Sequence, residues 1–142
     1  GAATLGSAQK RRIRVVGAEP VAVVDASRSL KTGVRHPGVV SPVTLADGLL
    51  TGLGARPFAI LSALGAEVVR VTEAAVLEAA YFILQRMKLV VEPSGATPLA
   101  ALRSEPDRFR NRRVGVIISG GNTDLAWLGA AEAITLRPGT SP

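Results

Sequence analysis

The chain has 142 residues, the size of one ordinary domain, with 47% hydrophobic but only 4% aromatic residues. Its core must therefore be built mainly from Ala, Val, Leu and Ile, which is typical of α/β proteins and excludes a disordered chain. The absence of cysteine excludes disulfides and thiolate metal sites, the single histidine excludes a multi-histidine site, and no apolar run reaches the ~18 residues of a membrane helix.

The charge is +6, from 17 Lys and Arg against 11 acidic residues. The basic residues gather at 10–14 and 103–113, and no aromatic residue that could stack on bases alternates with them in the pattern of a nucleic-acid site. Solvated ends of secondary-structure elements are the usual role of such groups. We therefore expect neither a nucleic-acid partner nor a membrane partner.

The first residues, 1–8, are small and lack both an initiator Met and the basic start of a signal peptide. They resemble the middle of a helix, so we expect the chain to be a fragment or a proteolytic product.

The first half of the chain predicts a buried strand and two short helices around a long loop. The strand is predicted at Arg14–Ala18, ended by Glu19-Pro20. Helices are predicted at Asp25–Lys31, with Gly33 beyond its end, and at Phe58–Leu64, closed by Gly65. Residues 33–57 hold five glycines and three prolines and should be mostly loop.

The second half predicts two further strands, Glu67–Val71 and Val114–Ile118, the latter without alternation and therefore buried on both faces. Thr72 should cap a helix over residues 73–88, whose apolar stripe includes Val76, Ala80, Ile83 and Met87. Another helix should have Thr97 as N-cap and Pro98 as first residue, a short helix should start near Thr123, and the tail 138–142 should be disordered.

This order of elements predicts a parallel α/β layer. Three strands form a thin sheet that would leave apolar faces and edges open, which fits a piece of a larger domain.

Two small-residue turns could bind a ligand. Ser119-Gly120-Gly121-Asn122 follows the last predicted strand, where open α/β sheets place ligands, but it could equally be a tight turn. Glu92-Pro93-Ser94-Gly95 precedes a helix, whose N-terminus favours anions, but it could equally be an ordinary capping loop.

Three acidic residues stand near predicted loops. Glu19 and Asp25 are six residues apart around a strand end, and with a carbonyl and waters they could hold Mg²⁺ or Ca²⁺. Unrelated surface acids are the alternative. Asp47-Gly48 has the residue types of a turn.

Taken together, four segments resemble the fold-type II pyridoxal-phosphate enzymes, above all catabolic threonine dehydratases and serine racemase. The resemblance covers residues 1 to about 127, in the order Glu19-Pro20, Ala46-Asp47-Gly48, Arg86 to Ala96 and Ile118 to Leu125. It implies the parallel-sheet large domain of a tryptophan synthase beta-like α/β enzyme, with residues 1–137 as the C-terminal portion of that domain.

The resemblance also implies roles for individual residues. Ser119 matches the serine that hydrogen-bonds the pyridine nitrogen of pyridoxal phosphate, Glu92 an acid lining the cofactor pocket, and Gly120 its neighbour. Asp47 and Gly48 match a loop that borders the substrate side and the cofactor.

A divalent-cation site is implied as well. Glu19, the carbonyl of Val23 and Asp25 match a site for Mg²⁺, Ca²⁺ or Mn²⁺ in the serine racemase-like branch. That branch usually has alanine at position 23, but a backbone ligand tolerates valine.

The activity implied is β-elimination from threonine or serine to a 2-oxo acid and ammonia. Serine racemisation and dehydration of hydroxyaspartate are alternatives, and a non-catalytic α/β module that binds phosphate or nucleotide is an alternative of another class. The family's reactive lysine would lie upstream of Gly1, so we expect no catalytic residue in this chain and no activity without the N-terminal portion of the enzyme. The complete enzyme should be a cytoplasmic homo-oligomer that acts on a hydroxy-amino acid.

Overall fold

The structure is a computed structural model that describes residues 13–131. Within that range two parallel strands pair, β1 (Val16–Pro20) and β2 (Glu67–Val71), in the register that places Val16 opposite Glu67 and Pro20 opposite Val71. The parallel pairing confirms the predicted α/β class. The remaining elements are α1 (Asp25–Thr32), α2 (Ala55–Ala63), α3 (Glu73–Met87), α4 (Pro93–Ser104) and α5 (Pro106–Phe109), with 3-10 turns at Asp47–Leu49 and Ala126–Ala131.

Local signals set the ends of two helices. α1 ends where Gly33 adopts a left-handed conformation, with φ 72°, and donates its N–H to the Ser29 carbonyl. α3 begins at Thr72, whose side-chain oxygen accepts from the Ala75 N–H at 3.2 Å. It ends at Lys88, a non-glycine residue in the left-handed region with φ 58°.

The core lies between the sheet and the pair α3 and α4, which pack against each other. Small residues on α4 let the two helices approach closely, while larger aliphatic residues come from β2 and α3. The buried cluster comprises Val69, Val71, Val76, Leu77, Ala79, Ala80, Ile83, Val91, Ala96, Ala100, Ala101 and Trp127. Met87 was expected on this face, but it is the last residue of α3 and is 50% exposed.

The start of α4 differs from the prediction. The helix begins at Pro93, one turn before Thr97, with Glu92 as an extended N-cap residue. Thr97 is buried inside the helix, where its hydroxyl donates to the Pro93 carbonyl at 3.1 Å. Pro93 and Pro98 are both suited to a first helical position, so the residue pattern alone did not decide between them.

The predicted third strand, Val114–Ile118, is not a strand within the described residues. It has no strand beside it, because the described sheet contains β1 and β2 alone. Ile117 is 63% exposed and Val114 42% exposed, so the expectation that both faces are buried was also wrong. An apolar run becomes a buried strand only when another strand pairs with it.

β1 begins and ends two residues later than the predicted strand at Arg14–Ala18, and α2 begins three residues before the predicted Phe58. Further differences lie near the chain ends. The short helix expected from Thr123 is the 3-10 turn Ala126–Ala131. The expected N-terminal helix at residues 1–8 and the expected disordered tail at 138–142 fall outside the described residues. In the described part of the chain, no helix has the length and hydropathy needed to cross a membrane.

Candidate functional site

Three segments that are distant in the sequence meet at the N-terminus of α4. They are the turn at 47–49, residues 92–95 and the strap Ser119–Gly120. The Glu92 N–H donates to the Gly120 carbonyl at 3.2 Å, which ties the strap to the start of the helix. The cofactor-side residues named from the sequence, Ser119, Gly120, Glu92 and Gly48, are thus brought together, with Asp47 beside them.

Two glycines make this close approach possible. Gly120 has φ 80°, and a Cβ there would overlap the Glu92 side chain, whose Cγ would be only 2.8 Å away. A Cβ on Gly95 would overlap the backbone carbonyl of Ser119, with the carbonyl carbon 2.7 Å away. The strap therefore lies directly on the first turn of α4. A side chain at position 95 would push the strap away, and one at position 120 would displace the Glu92 side chain and strain the backbone.

The turn at Asp47–Gly48 also lies beside the Glu92 carboxylate, and the surface that the turn and the strap form around Glu92 is called the cleft below. The Gly48 N–H donates both to the Asp47 Oδ1, at 2.8 Å, and to the Ser94 Oγ, at 3.0 Å. The Ser94 hydroxyl is in turn 3.5 Å from the Asp47 Oδ1. Sequence reasoning placed Ser94 in a turn that could bind a ligand but gave it no role of its own, because its partners lie more than 40 residues away and only the fold shows that they are near.

The cleft presents polar groups that are free to bind a ligand. Ser119 is exposed, and its hydroxyl makes no hydrogen bond to any described residue, so it can donate to a heteroaromatic ring nitrogen. Glu92 is half-buried against Gly120 and contributes a carboxylate. This donor set fits the ring of a pyridine cofactor, but none of these residues is basic, so within the described part they do not provide the charges that a phosphate prefers.

The two candidate cation-binding carboxylates are those of Glu19, near the end of β1, and Asp25, the first residue of α1. Glu19 is buried and accepts two backbone N–H groups, from Ala26 at 3.2 Å and from Ser27 at 3.0 Å, so it caps the start of α1. Burial raises the pKa of Glu19 above its ordinary value; the hydrogen bonds from Ser27 oppose this rise, and the nearby negative charge of Asp25 adds to it.

Asp25 is also buried, and its Oδ2 accepts from the Leu53 N–H at 2.8 Å. The described residues contain no group of three or more His, Cys, Asp or Glu side chains that could hold a metal. A cation here would therefore need the two carboxylates together with a carbonyl, such as that of buried Val23, and water. Two buried carboxylates that repel each other fit a hard cation, because the cation would neutralise them.

Residues 1–120 match a family model described as pyridoxal-phosphate dependent enzyme. The chain belongs to this family. The match includes both the turn at 47–48 and the strap at 119–120, the two borders of the cleft on α4.

Named relatives within the family are amino-acid lyases and racemases. The chain is 43% identical over 111 residues to an L-threo-3-hydroxyaspartate ammonia-lyase of Pseudomonas sp, covering 77% of this chain and 34% of that protein. It is 43% identical over 119 residues to a serine racemase of Dictyostelium discoideum, covering 80% of this chain and 36% of that protein. The chain therefore spans about a third of the length of these curated relatives.

A solved structure confirms the fold-type II assignment. The crystal structure of the T.th. threonine deaminase superposes with a TM-score of 0.81 at 41% identity, covering 86% of this chain and 40% of that one.

Proposed function

We propose that this chain supplies the ring side of the cofactor site in a pyridoxal-phosphate-dependent dehydratase of hydroxy-amino acids, of the threonine/serine ammonia-lyase kind. The overall reaction is β-elimination to a 2-oxo acid and ammonia. The observation that carries the proposal is the strap Ser119–Gly120, which packs on Glu92 and leaves the Ser119 hydroxyl without a partner among the described residues.

Each cleft residue has a distinct proposed part. Bound pyridoxal phosphate supplies an electron sink for the substrate. Ser119 holds the ring nitrogen through a neutral hydroxyl, which cannot keep that nitrogen protonated as an aspartate would, and this favours elimination over transamination. Glu92 lines the pocket and fixes the strap, while Gly48 and Asp47 border the cofactor and the substrate.

We propose that the N-terminal portion of the enzyme supplies the reactive lysine and the phosphate site. Lys31 is exposed on α1, and Lys88 is exposed with its Nζ donating to the Gln85 carbonyl, so neither is one of the groups that form the cleft. Lys10 lies outside the described residues, and the resemblance does not match it to the catalytic lysine. The coverage of about a third of the curated relatives supports this division. We expect the assembled enzyme to be a homo-oligomer.

The substrate could also be hydroxyaspartate, or the reaction could be racemisation of serine. The identity to the hydroxyaspartate ammonia-lyase and to the serine racemase is the same, 43%. Products separate the three: threonine gives 2-oxobutanoate, hydroxyaspartate gives oxaloacetate, and a racemase gives D-serine from L-serine.

The test uses the purified chain, alone and mixed with the separately expressed N-terminal portion, together with pyridoxal phosphate and each substrate. We expect 2-oxo acid release only from the mixture. Release from the chain alone would overturn the proposed division of the enzyme, and no turnover with any substrate in a mixture that binds cofactor would overturn the proposed reaction.

Ser119→Ala tests the ring contact. It should weaken cofactor binding by about tenfold, because a hydrogen bond of about 1.4 kcal/mol corresponds to a factor of ten. Ser104→Ala is the matched control, since Ser104 is an exposed serine at the far end of α4. Equal cofactor affinity in the two variants would exclude Ser119 as a ring ligand.

We also propose that Glu19, Asp25 and the Val23 carbonyl hold Mg²⁺, Ca²⁺ or Mn²⁺ as a structural ion. The ion should raise the melting temperature of the protein, since it binds the folded state alone. Asp25→Asn should abolish that shift. A melting temperature that does not respond to any of the three ions would show that the pair is not a cation site.

A further inference from the structure

Glu73, the first residue of α3, makes its hydrogen bond to a backbone group outside its own helix. Its Oε2 accepts from the Leu45 N–H at 2.8 Å, 28 residues earlier in the chain. Its Oε1 is buried and makes no hydrogen bond within the described residues. Thr72 already provides the side-chain cap of this helix.

An acid in the first turn of a helix gains from the helix dipole, and it can do so while exposed to water. Glu73 is instead partly buried with one carboxylate oxygen unpaired, which disfavours the folded state. The dipole explains the negative charge at this position but not the burial. The hydrogen bond to the Leu45 N–H accounts for the position of the Glu73 side chain.

Leu45 leads directly into the wall of the cleft. The next residue, Ala46, is completely buried, and Asp47 and Gly48 follow at the cleft surface. The Gly48 N–H is tied to Ser94 on α4. Eight residues after Leu45, the Leu53 N–H is tied to Asp25. The segment 45–53 is therefore fixed at three points, and Glu73 fixes the end nearest Asp47.

We propose that Glu73 is a positioning residue that sets the place of Asp47 in the cleft through the Leu45 N–H. This inference rests on the proposed function, because it takes Asp47 to border the substrate. Without the tie, the bond to Ser94 still holds Gly48, but the chain on the Leu45 side of Asp47 loses its anchor, so Asp47 is held from one side only. Loss of the tie should therefore raise KM for the amino acid more than it lowers kcat or cofactor affinity.

Glu73→Asp is the sharpest variant. It keeps the negative charge at the helix start. Because its side chain is one methylene shorter, its carboxylate lies further from the Leu45 N–H. If Glu73 serves the dipole alone, this variant behaves like the wild type. If Glu73 is the tie, hydrogen exchange at the Leu45 amide should rise by about tenfold and KM should rise to a similar extent.

Glu73→Gln is the rescue variant, because its amide oxygen can still accept from the Leu45 N–H. It should restore slow exchange and near-normal KM. Glu78→Ala, an exposed acid on the same helix, is the control and should match the wild type in both measurements.

The two readouts separate this inference from the proposed function. Amide exchange is measured on the 142-residue chain, and KM on the active, cofactor-loaded enzyme. Unchanged exchange in Glu73→Asp would overturn the tie. Faster exchange with an unchanged KM would overturn the positioning role while leaving the proposed reaction intact. An enzyme that binds cofactor but converts no hydroxy-amino acid would overturn the proposed function, while the exchange result would still decide whether the tie exists.

Discussion

At the scale of single residues, the cleft depends on positions that carry no side chain. Gly95 and Gly120 allow the strap to lie on the start of α4, and the polar residues Ser119 and Glu92 meet because of them. The motifs around these residues are visible in the sequence, so a role for them at the cofactor could be predicted before the fold was known. Ser94 and Glu73 could not, because each acts on a partner that is distant in the chain.

Gly95→Ala should disrupt this arrangement. The new methyl group would overlap the Ser119 carbonyl, which is backbone and cannot rotate away, so we expect a loss of about 1–3 kcal/mol in the free energy of unfolding. Urea unfolding followed by the fluorescence of Trp127, the only tryptophan in the chain, measures it. Gly115→Ala is the matched control, since nothing lies within 4 Å of that position. Equal stability of the two variants would contradict the close approach.

The burial of Glu19 predicts that its contribution to the free energy of unfolding decreases as the pH rises. Its pKa is raised in the folded state, so the folded protein binds this proton more tightly than the unfolded chain does. The contribution of Glu19 to stability is therefore fully present below the unfolded pKa of ~4.3 and is lost as the pH rises through the folded pKa. Paired acids usually show the opposite dependence.

Glu19→Gln should remove this dependence. With a chelator present, the difference in free energy of unfolding between wild type and Glu19→Gln should favour the wild type less at pH ~7 than at pH ~4. Chemical denaturation at the two pH values measures it, and Glu78→Gln controls for the loss of an exposed acid. A difference that grows in favour of the wild type as the pH rises would contradict the raised pKa.

At the scale of elements, local sequence signals predicted the bounds of a strand or helix correctly where no second signal competed with them. β2 was predicted with its observed bounds, and α3 was predicted to within one residue from its cap and its apolar spacing. α4 was misplaced by one turn because Pro93 and Pro98 gave the same signal. The run Val114–Ile118 was wrong as a strand, because a strand exists only with a partner and the described chain offers none.

Thr72→Ala tests the cap of α3. Removing the acceptor for the Ala75 N–H should destabilise the protein by about 1 kcal/mol. Thr72→Ser keeps a hydroxyl oxygen and should retain most of the stability. Urea unfolding midpoints of the three proteins give the comparison, and an equal loss in both variants would mean that the methyl group of Thr72 matters and the cap does not.

At the scale of the whole molecule, the turn at 126–131 fastens the chain after the strap to α3. The rings of Tyr81 and Trp127 meet edge to face, with centroids 5.5 Å apart, and the Tyr81 hydroxyl donates to the Leu128 carbonyl. Trp127 also donates its indole N–H to the Thr123 hydroxyl at 3.1 Å. These contacts fix the part of the chain that follows Ser119 and Gly120, so they help to keep the strap over α4.

Tyr81→Phe should separate the hydrogen bond from the ring contact. It should cost about 1 kcal/mol of stability while Trp127 stays shielded from a fluorescence quencher. Tyr81→Ala removes the ring as well, so Trp127 should become accessible to the quencher. Equal quenching in the two variants would show that the ring contact does not shield Trp127.

The sequence by itself determined the family, the parallel α/β class and most helix ends, and it was the source of the prediction that Ser119, Gly120, Glu92 and Gly48 face the cofactor, because these depend on local patterns and on short motifs. Only the tertiary structure decided that Ser94 contacts Gly48 and Glu73 contacts Leu45, that Glu19 caps α1, and that Val114–Ile118 is unpaired in the described chain. The physical reason is the same in each case. A hydrogen bond or a strand pairing between distant segments depends on where the whole chain places both partners, and no local pattern contains that information.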